Sequence, residues 1–234
     1  MNHGVLESQR YESTMLNKES SYLLQIINDF LHVRKTEAVS DCFWDYLVLL
    51  AGKHQLLPIL FYQCKELMPK SCFLEAKNVY YQQIQRSALM DRSINRFKEL
   101  LNGIDVCFIK GVQIRNYYPV PSLRTMSDID VLVREDDLEK VIEIFVKSGA
   151  KAGNEKNSFV LDGFTFELHE NPIHSHIEHE AYRLYFDNVW DHISSGILDW
   201  NVHFVYLVVH LKNHLVGEGV GLRQFVDIVN FRHN

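Results

Sequence analysis

Residues 104–133 read IDVCFIKGVQIRNYYPVPSLRTMSDIDVLV, and this stretch decides the fold. Its first six residues are mostly apolar and partly β-branched, which is typical of a buried strand, and they lead into Lys110-Gly111. Residues 112–117 can form two helical turns before two prolines prevent any continuation. Residues 128–133 then have an acidic start and an apolar body, as a second strand would. The order strand, short helix, strand indicates an α/β-type core.

Helices are predicted on both sides of this core, because apolar residues recur there at helical spacing. Before it, helices are expected from Ser20 or Ser21, from Asp41 to about Gly52, from near Pro58, and over about residues 73–101. After it, we expect a helix over 136–149, a third strand over the alternating residues 158–169, and helices from Trp200 to Leu215 and from Leu222 to Phe231.

This order of elements predicts an α+β fold with an α/β-type core. We expect a helical amino-terminal region over residues 1–102, the α/β core over 103–199, and carboxy-terminal helices over 200–234 that pack on the core. Without repeats or a Pro/Gly/Ser linker, the three parts should pack together.

Composition narrows the class of protein. The chain has 24 basic and 30 acidic residues and a formal charge of −6, which argues against a protein that coats nucleic acid. The most apolar run, residues 203–211, is too short to span a membrane, and residues 1–20 lack the pattern of a signal peptide. The four cysteines form no CxxC pair, so free thiols in a reducing cytoplasm are expected.

Three carboxylates are the candidate catalytic and metal-binding residues. Asp128 and Asp130 are two apart in a strand, so they project from the same face. Such a pair at the head of an apolar strand is unfavourable unless a cation neutralises it. Mg²⁺, or Mn²⁺ in its place, prefers oxygen ligands of this kind. Glu167, on the polar face of the third predicted strand, is the best candidate for a third ligand.

The motifs around these carboxylates resemble those of a known family. They are Phe108-Ile-Lys-Gly, Tyr118-Pro, Leu123-Arg124, Ser127-Asp-Ile-Asp-Val-Leu-Val and Phe166-Glu-Leu-His169. Over about residues 100–231 the chain looks like the uncharacterised nucleotidyltransferase family of the DNA polymerase β superfamily. The resemblance implies a polymerase β-like mixed sheet and the transfer of a nucleoside monophosphate from a triphosphate such as ATP. It also implies that Gly111 lies in the turn that binds the triphosphate.

The chain departs from the characterised members at that turn. They carry Gly-Ser, whereas this chain has Val112 after the glycine, with Lys110 before it. Lys110 could therefore supply a positive charge to phosphate in place of the missing hydroxyl. Arg124 could bind triphosphate oxygens or stabilise its own loop through an ion pair. Ser127 is interpreted as a cap at the strand entry, with phosphate binding as the alternative.

Other polar residues are weaker candidates. The loop residues His174, His176 and His179 could converge on zinc, but their spacing matches no standard site. His169 is expected to line the cleft because it follows Glu167 on the same face. If the last helices cover the cleft, four of their residues could contact the base, sugar or acceptor. These are His210, Lys212, Arg223 and Asp227.

The preferred hypothesis is a cytoplasmic, metal-dependent nucleotidyltransferase that acts on a nucleoside triphosphate. Its acceptor, a small molecule, protein or RNA, is not identified by the sequence. Two alternatives stay open. The missing hydroxyl at residue 112 favours an inactive domain that only binds nucleotide or metal. The helical half could also dock a partner in a toxin–antitoxin or modification system.

Overall fold

A computed structural model gives the structure of residues 18–172, 180–216 and 219–232. His174, His176 and His179 of the possible zinc loop lie outside these ranges, so that alternative stays a prediction. No helix within the three ranges is long and apolar enough to cross a membrane.

Helices make up most of the chain up to residue 100. Residues 18–31 form α1, which is followed by α2 (Trp44–Lys53), α3 (Leu57–Cys64) and α4 (Lys70–Leu100). Pro58 lies in the first turn of α3, where its missing N–H has no intrahelical partner to lose. The later helices are α5 (Gly111–Ile114), α6 (Glu135–Lys147), α7 (Glu180–Phe186), α8 (Trp200–Val216) and α9 (Leu222–Arg232). The helices predicted on both sides of the core are thus present, with shifted ends.

A five-stranded mixed sheet forms the α/β part. Its strands are β1 (Val106–Phe108), β2 (Asp128–Val133), β3 (Lys151–Ala152), β4 (Ser158–Leu161) and β5 (Phe164–His169). Their spatial order is β1-β2-β5-β4-β3. β2 and β5 run parallel, while the other neighbours in the sheet are antiparallel. The mixed α+β fold expected from the sequence is confirmed.

The prediction of a single third strand over residues 158–169 was wrong, because these residues form two strands. β4 and β5 are antiparallel neighbours joined at Asp162-Gly163. Both turn residues have positive φ, 53° and 82°, which is the geometry of a tight hairpin turn and suits an Asp-Gly pair. A regular alternation of apolar and polar residues is present only over residues 164–169, and it was extended back across the turn to residue 158. A further short hairpin, β6 (Ile193–Ser194) with β7 (Ile197–Leu198), was not predicted.

The sheet is covered on both faces by helices. On one face, apolar residues of β2, β4 and β5 pack with the second half of α4 and with α6 around Phe97, Phe145 and Phe166. The Phe97 and Phe166 rings are stacked with centroids 4.9 Å apart, and Phe145 meets both rings edge-on. On the other face, Cys107 and Leu132 pack against α7 and α8.

The chain divides into two compact units. Among the described residues, one contains 18–85, 118–125 and 221–230, and the other contains 86–117, 126–172, 180–216, 219–220 and 231–232. The whole sheet belongs to the second unit. The units use interleaved stretches of chain, and the three-part division expected at residues 102 and 199 stays a prediction.

We expect Phe145→Ala to lower the free energy of unfolding by about 3–5 kcal/mol, because it removes a ring at the centre of an aromatic cluster and leaves a cavity. Val146→Ala is the matched control, since Val146 is the next residue of α6 and is 52% exposed. It should change stability by less than about 1 kcal/mol. Urea unfolding followed by circular dichroism measures both, and equal effects of the two variants would contradict this account of the core.

Candidate active site

The candidate site lies where β2 and β5 run side by side. Asp130 is the register partner of Glu167, and Asp128 is the partner of Thr165. Partners on neighbouring strands project from the same face, and so do residues two apart on one strand. Asp128, Asp130 and Glu167 therefore share one face of the sheet, as does His169. The intervening residues, including Ile129 and Phe166, face the apolar core on the other side.

Asp130 is the most buried member of this group, with 2% of its surface exposed. Its Oδ1 atom accepts two hydrogen bonds, from Lys110 Nζ at 2.6 Å and from His169 Nε2 at 2.9 Å. The Nε2 atom of His169 also lies 3.7 Å from Glu167 Oε2. The lysine comes from the turn after β1, whereas the histidine and the glutamate come from β5.

Among the residues that the structure describes, Asp130, Glu167 and His169 form the one group of side chains close enough together to hold a metal ion. Their ligand atoms all lie within 4.8 Å of one another. Two carboxylates and an imidazole suit a divalent metal ion. The sequence predicted Asp128, Asp130 and Glu167 as the metal ligands and did not include His169, although the spacing of Glu167 and His169 already placed both on one face. Asp128 is half-buried on the same face, one pleat before Asp130. Its part in metal binding stays a prediction.

The ionisation of the group follows from burial and neighbouring charge. Burial alone would raise the pKa of Asp130, but the Lys110 ammonium and the His169 hydrogen bond hold it well below its usual range. Burial lowers the pKa of Lys110, whereas Tyr206 and Asp130 raise it, and the net shift is upward. Burial, and then the charges of Asp130 and Asp128, raise the pKa of Glu167. Lys110 and Asp130 are thus a charged pair, and Glu167 is a better proton acceptor than an ordinary carboxylate.

Lys110 has an unusual backbone conformation, with φ 46° and ψ −121°. This region favours glycine and costs about 1–3 kcal/mol for other residues. Gly111 follows as the first residue of α5. The Lys110 backbone N–H donates to His203 Nε2 at 3.1 Å, and the ammonium lies 5.9 Å from the centre of the Tyr206 ring. Residues of α8 therefore help to hold the lysine beside Asp130.

Comparison of the sequence with known protein families identifies one that matches this chain. Residues 40–234 match the family described as uncharacterised nucleotidyltransferase. The chain belongs to this family. The match begins well before residue 100, where the resemblance of the motifs was expected to start, so it includes α2 to α4. No curated protein and no solved structure shows significant similarity to the chain. Placement of this nucleotidyltransferase family in the polymerase β superfamily stays a prediction.

Arg124, a predicted nucleotide-binding residue, lies in the first compact unit. Its Nε and Nη2 atoms donate to the two carboxylate oxygens of Asp227, at 2.9 and 2.8 Å, and both side chains are buried. Asp227 also accepts from the Tyr118 hydroxyl at 2.7 Å, and Arg223 lies 3.5 Å away. The structure thus shows the ion pair that was one of the two roles considered for Arg124. Nucleotide or acceptor binding by Arg124, Arg223 and Asp227 stays a prediction.

The other predicted contacts lie in the second compact unit. His210 and His214, one turn apart on α8, approach each other with their Nε2 atoms 3.0 Å apart. The Lys212 ammonium lies 5.5 Å from the centre of the Tyr182 ring. Ser127 is exposed, and its backbone oxygen lies 3.4 Å from Arg86 Nη2. None of these contacts identifies a ligand, and these assignments stay predictions.

We expect Glu167→Gln to raise the free energy of unfolding of the metal-free protein by about 1 kcal/mol, because the neutral amide removes the repulsion from Asp130 and Asp128. The folded-state pKa of Glu167 lies above its unfolded value of about 4.3. The gain in the free energy of unfolding should therefore be complete at a pH well above both pKa values. It should disappear at a pH below the unfolded pKa.

Urea unfolding in EDTA at pH 8 and near pH 4 measures this effect. The matched control is Glu155→Gln at an exposed position, which should change little. A Glu167→Gln protein less stable than wild type at pH 8 would contradict the electrostatic account of the cluster.

Asp227→Asn should lower the free energy of unfolding by about 3–5 kcal/mol, since it leaves the buried Arg124 guanidinium without its counter-charge. Asp162→Asn makes the same chemical change in an exposed ion pair with Arg96 and should cost about 1 kcal/mol or less. Thermal or urea unfolding of both variants provides the comparison. Similar losses would show that burial of the Arg124 pair does not matter.

Proposed function

We propose that the chain is a metal-dependent nucleotidyltransferase that transfers a nucleoside monophosphate from a nucleoside triphosphate to an acceptor hydroxyl. The observation that carries the proposal is the parallel pairing of β2 and β5, which puts Asp130 beside Glu167 with Asp128 and His169 on the same face. Membership of a family described as nucleotidyltransferases supports the same reaction class. A fold alone does not identify the chemistry, whereas the side chains of the site do.

The donor set fits a divalent ion, and Mg²⁺ or Mn²⁺ is the proposed cofactor. Asp130, Glu167 and His169 would hold it, with Asp128 as a further oxygen ligand. When bound, such an ion neutralises phosphate charge and lowers the pKa of a coordinated hydroxyl. The rest of the chemistry is assigned to the side chains of this chain.

In the proposed reaction, the acceptor oxygen forms a bond to the α-phosphorus while the bond from that phosphorus to the bridging oxygen breaks. Pyrophosphate leaves with the electron pair of the broken bond. The proton of the acceptor hydroxyl goes to Glu167, whose pKa is raised by burial and by the charges of Asp130 and Asp128. Lys110 supplies positive charge to the triphosphate, with Gly111 allowing close approach of the turn. His169 holds Asp130 in place through its hydrogen bond in the metal-free protein.

Asp128→Asn is the sharpest test, because Asp128 is only half-buried and its loss leaves no deeply buried charge unpaired. We expect nucleotide transfer to fall by about 100-fold or more, with little change in stability. The assay supplies each α-labelled triphosphate with Mg²⁺ or Mn²⁺ and with small-molecule, protein and RNA acceptors, and it follows labelled product and pyrophosphate. Asp136→Asn on the exposed first turn of α6 is the matched control. Full transfer by the Asp128 variant would overturn the assignment.

A second candidate function is a nucleotide- or metal-binding module without transfer activity. Two observations favour it: Val112 replaces the hydroxyl residue that characterised relatives carry, and the Lys110 ammonium already neutralises Asp130. Calorimetry with Mg²⁺ and each triphosphate, combined with mass spectrometry of every acceptor pool, separates the two functions. Binding without transferred nucleotide supports the module, and transferred nucleotide rejects it.

A further inference from the structure

We propose that the Lys110 ammonium occupies the position of a divalent cation on Asp130 in the metal-free protein and leaves Asp130 when the metal ion binds. This inference rests on the proposed function, since it assumes that the site takes a metal ion. It adds a mechanism by which entry of the metal ion makes Lys110 available to triphosphate oxygens.

The present contacts of Asp130 limit how a metal ion can bind to it. A carboxylate oxygen has about two lone-pair positions, and Oδ1 already accepts from Lys110 Nζ and His169 Nε2. For His169 to become a ligand through Nε2, the nitrogen that faces Asp130, this atom must offer a lone pair and give up the hydrogen that it donates to Asp130. A metal ion held by Asp130 and His169 together therefore cannot simply add to the metal-free arrangement. Some of the present contacts must break.

The charge on this face of the sheet also favours an exchange of one cation for another. The sheet face carries three carboxylates, Asp128, Asp130 and Glu167, with Lys110 ion-paired to the most buried of them. Without any cation, a carboxylate as buried as Asp130 would be strongly unfavourable. A divalent ion provides more charge than the ammonium and repels it at short range. The ion can thus replace the lysine, but both are not favourable on one oxygen.

The contact between Lys110 and Asp130 is the one that can break. His169 is fixed by its position in β5, whereas Lys110 has a flexible four-carbon side chain that is 14% exposed. The Lys110 backbone is held in a conformation that favours glycine, yet a long cationic side chain stands there. Lys110 is therefore the group that can move away from Asp130 while staying close to the site. A triphosphate bound to the metal ion would offer it new oxygens.

The experiment compares wild type, Lys110→Met and a matched control, Lys147→Met, in EDTA and in Mn²⁺ without nucleotide. Lys147 also pairs with a carboxylate, Glu143, but both are exposed on α6. We expect Lys110→Met to melt at a lower temperature than wild type in EDTA, and Mn²⁺ to raise its Tm by about 5 °C more than it raises that of wild type. The affinity of Lys110→Met for Mn²⁺ should be about tenfold or more higher than that of wild type. Electron paramagnetic resonance of the free ion measures this affinity.

The Lys147 variant should respond to Mn²⁺ as wild type does. If Mn²⁺ does not raise the Tm of the Lys110→Met protein more than that of wild type, the lysine is not a substitute for the ion. The same conclusion follows if that variant binds Mn²⁺ no more tightly than wild type. If the variant is too unstable to purify, the wild-type protein with ¹³Cε-labelled lysine answers the question. The Lys110 resonance, identified by its absence from the Lys110→Arg spectrum, should shift when Mg²⁺ is added, and an unchanged resonance overturns the inference.

The outcomes separate this inference from the proposed function. If Mn²⁺ raises the Tm of Lys110→Met as expected but the wild-type protein transfers no nucleotide, the exchange of Lys110 for metal is supported and the transfer reaction is rejected. Nucleotide transfer by wild type, with no restoration of the Lys110→Met protein, would keep the enzyme and reject the exchange.

Discussion

A buried carboxylate at the head of a central strand sets the conditions for the rest of the second compact unit. Asp130 is nearly inaccessible to solvent, so its negative charge needs partners inside the protein. Lys110 and His169 provide them at 2.6 and 2.9 Å. Each partner comes from a different segment, and each must be placed accurately for the charge to be tolerated. The turn after β1, the strand β5 and the helix α8 are therefore all linked to one oxygen atom.

The parallel pairing of β2 and β5 brings together the side chains that could bind a metal ion. In the observed register, Glu167 lies directly beside Asp130, and the strands share one polar and one apolar face. The apolar face is fixed by the stacked rings of Phe97 and Phe166, which makes a slip of one residue costly. The same packing that stabilises the sheet therefore keeps the carboxylates and His169 on the opposite face, close enough for a cation.

The strained turn at Lys110 fits the general trade between stability and function. A residue with positive φ and a deeply buried ion pair both reduce the stability that an idealised sequence would reach. Such features persist at sites where a ligand later uses them. The raised pKa of Glu167 belongs to the same pattern, since three carboxylates on one face are unfavourable without a cation.

Periodicity and local chemistry in the sequence were enough to predict the mixed α+β class, most helices, the strands β1 and β2, and the shared face of Asp128, Asp130 and Glu167. Such features depend on residues close together in the chain, where the repeat of 3.6 or 2 is visible directly. The hairpin at Asp162-Gly163 was missed because the alternation over residues 164–169 was extended back to residue 158, although an Asp-Gly pair is itself a turn signal.

Only the tertiary structure decided which distant groups meet. The pairing of Lys110 with Asp130, the entry of His169 into the candidate metal group, and the burial of Arg124 against Asp227 join residues 20, 39 and 103 positions apart. Sequence spacing placed His169 on the same face as Glu167, but it did not identify the partners of these residues on other elements, because such contacts depend on the order of strands in the sheet and on how the helices pack. The sequence by itself determined the local elements and the acidic face; the folded chain determined the partners of each charge, since an ion pair requires a distance that only packing sets.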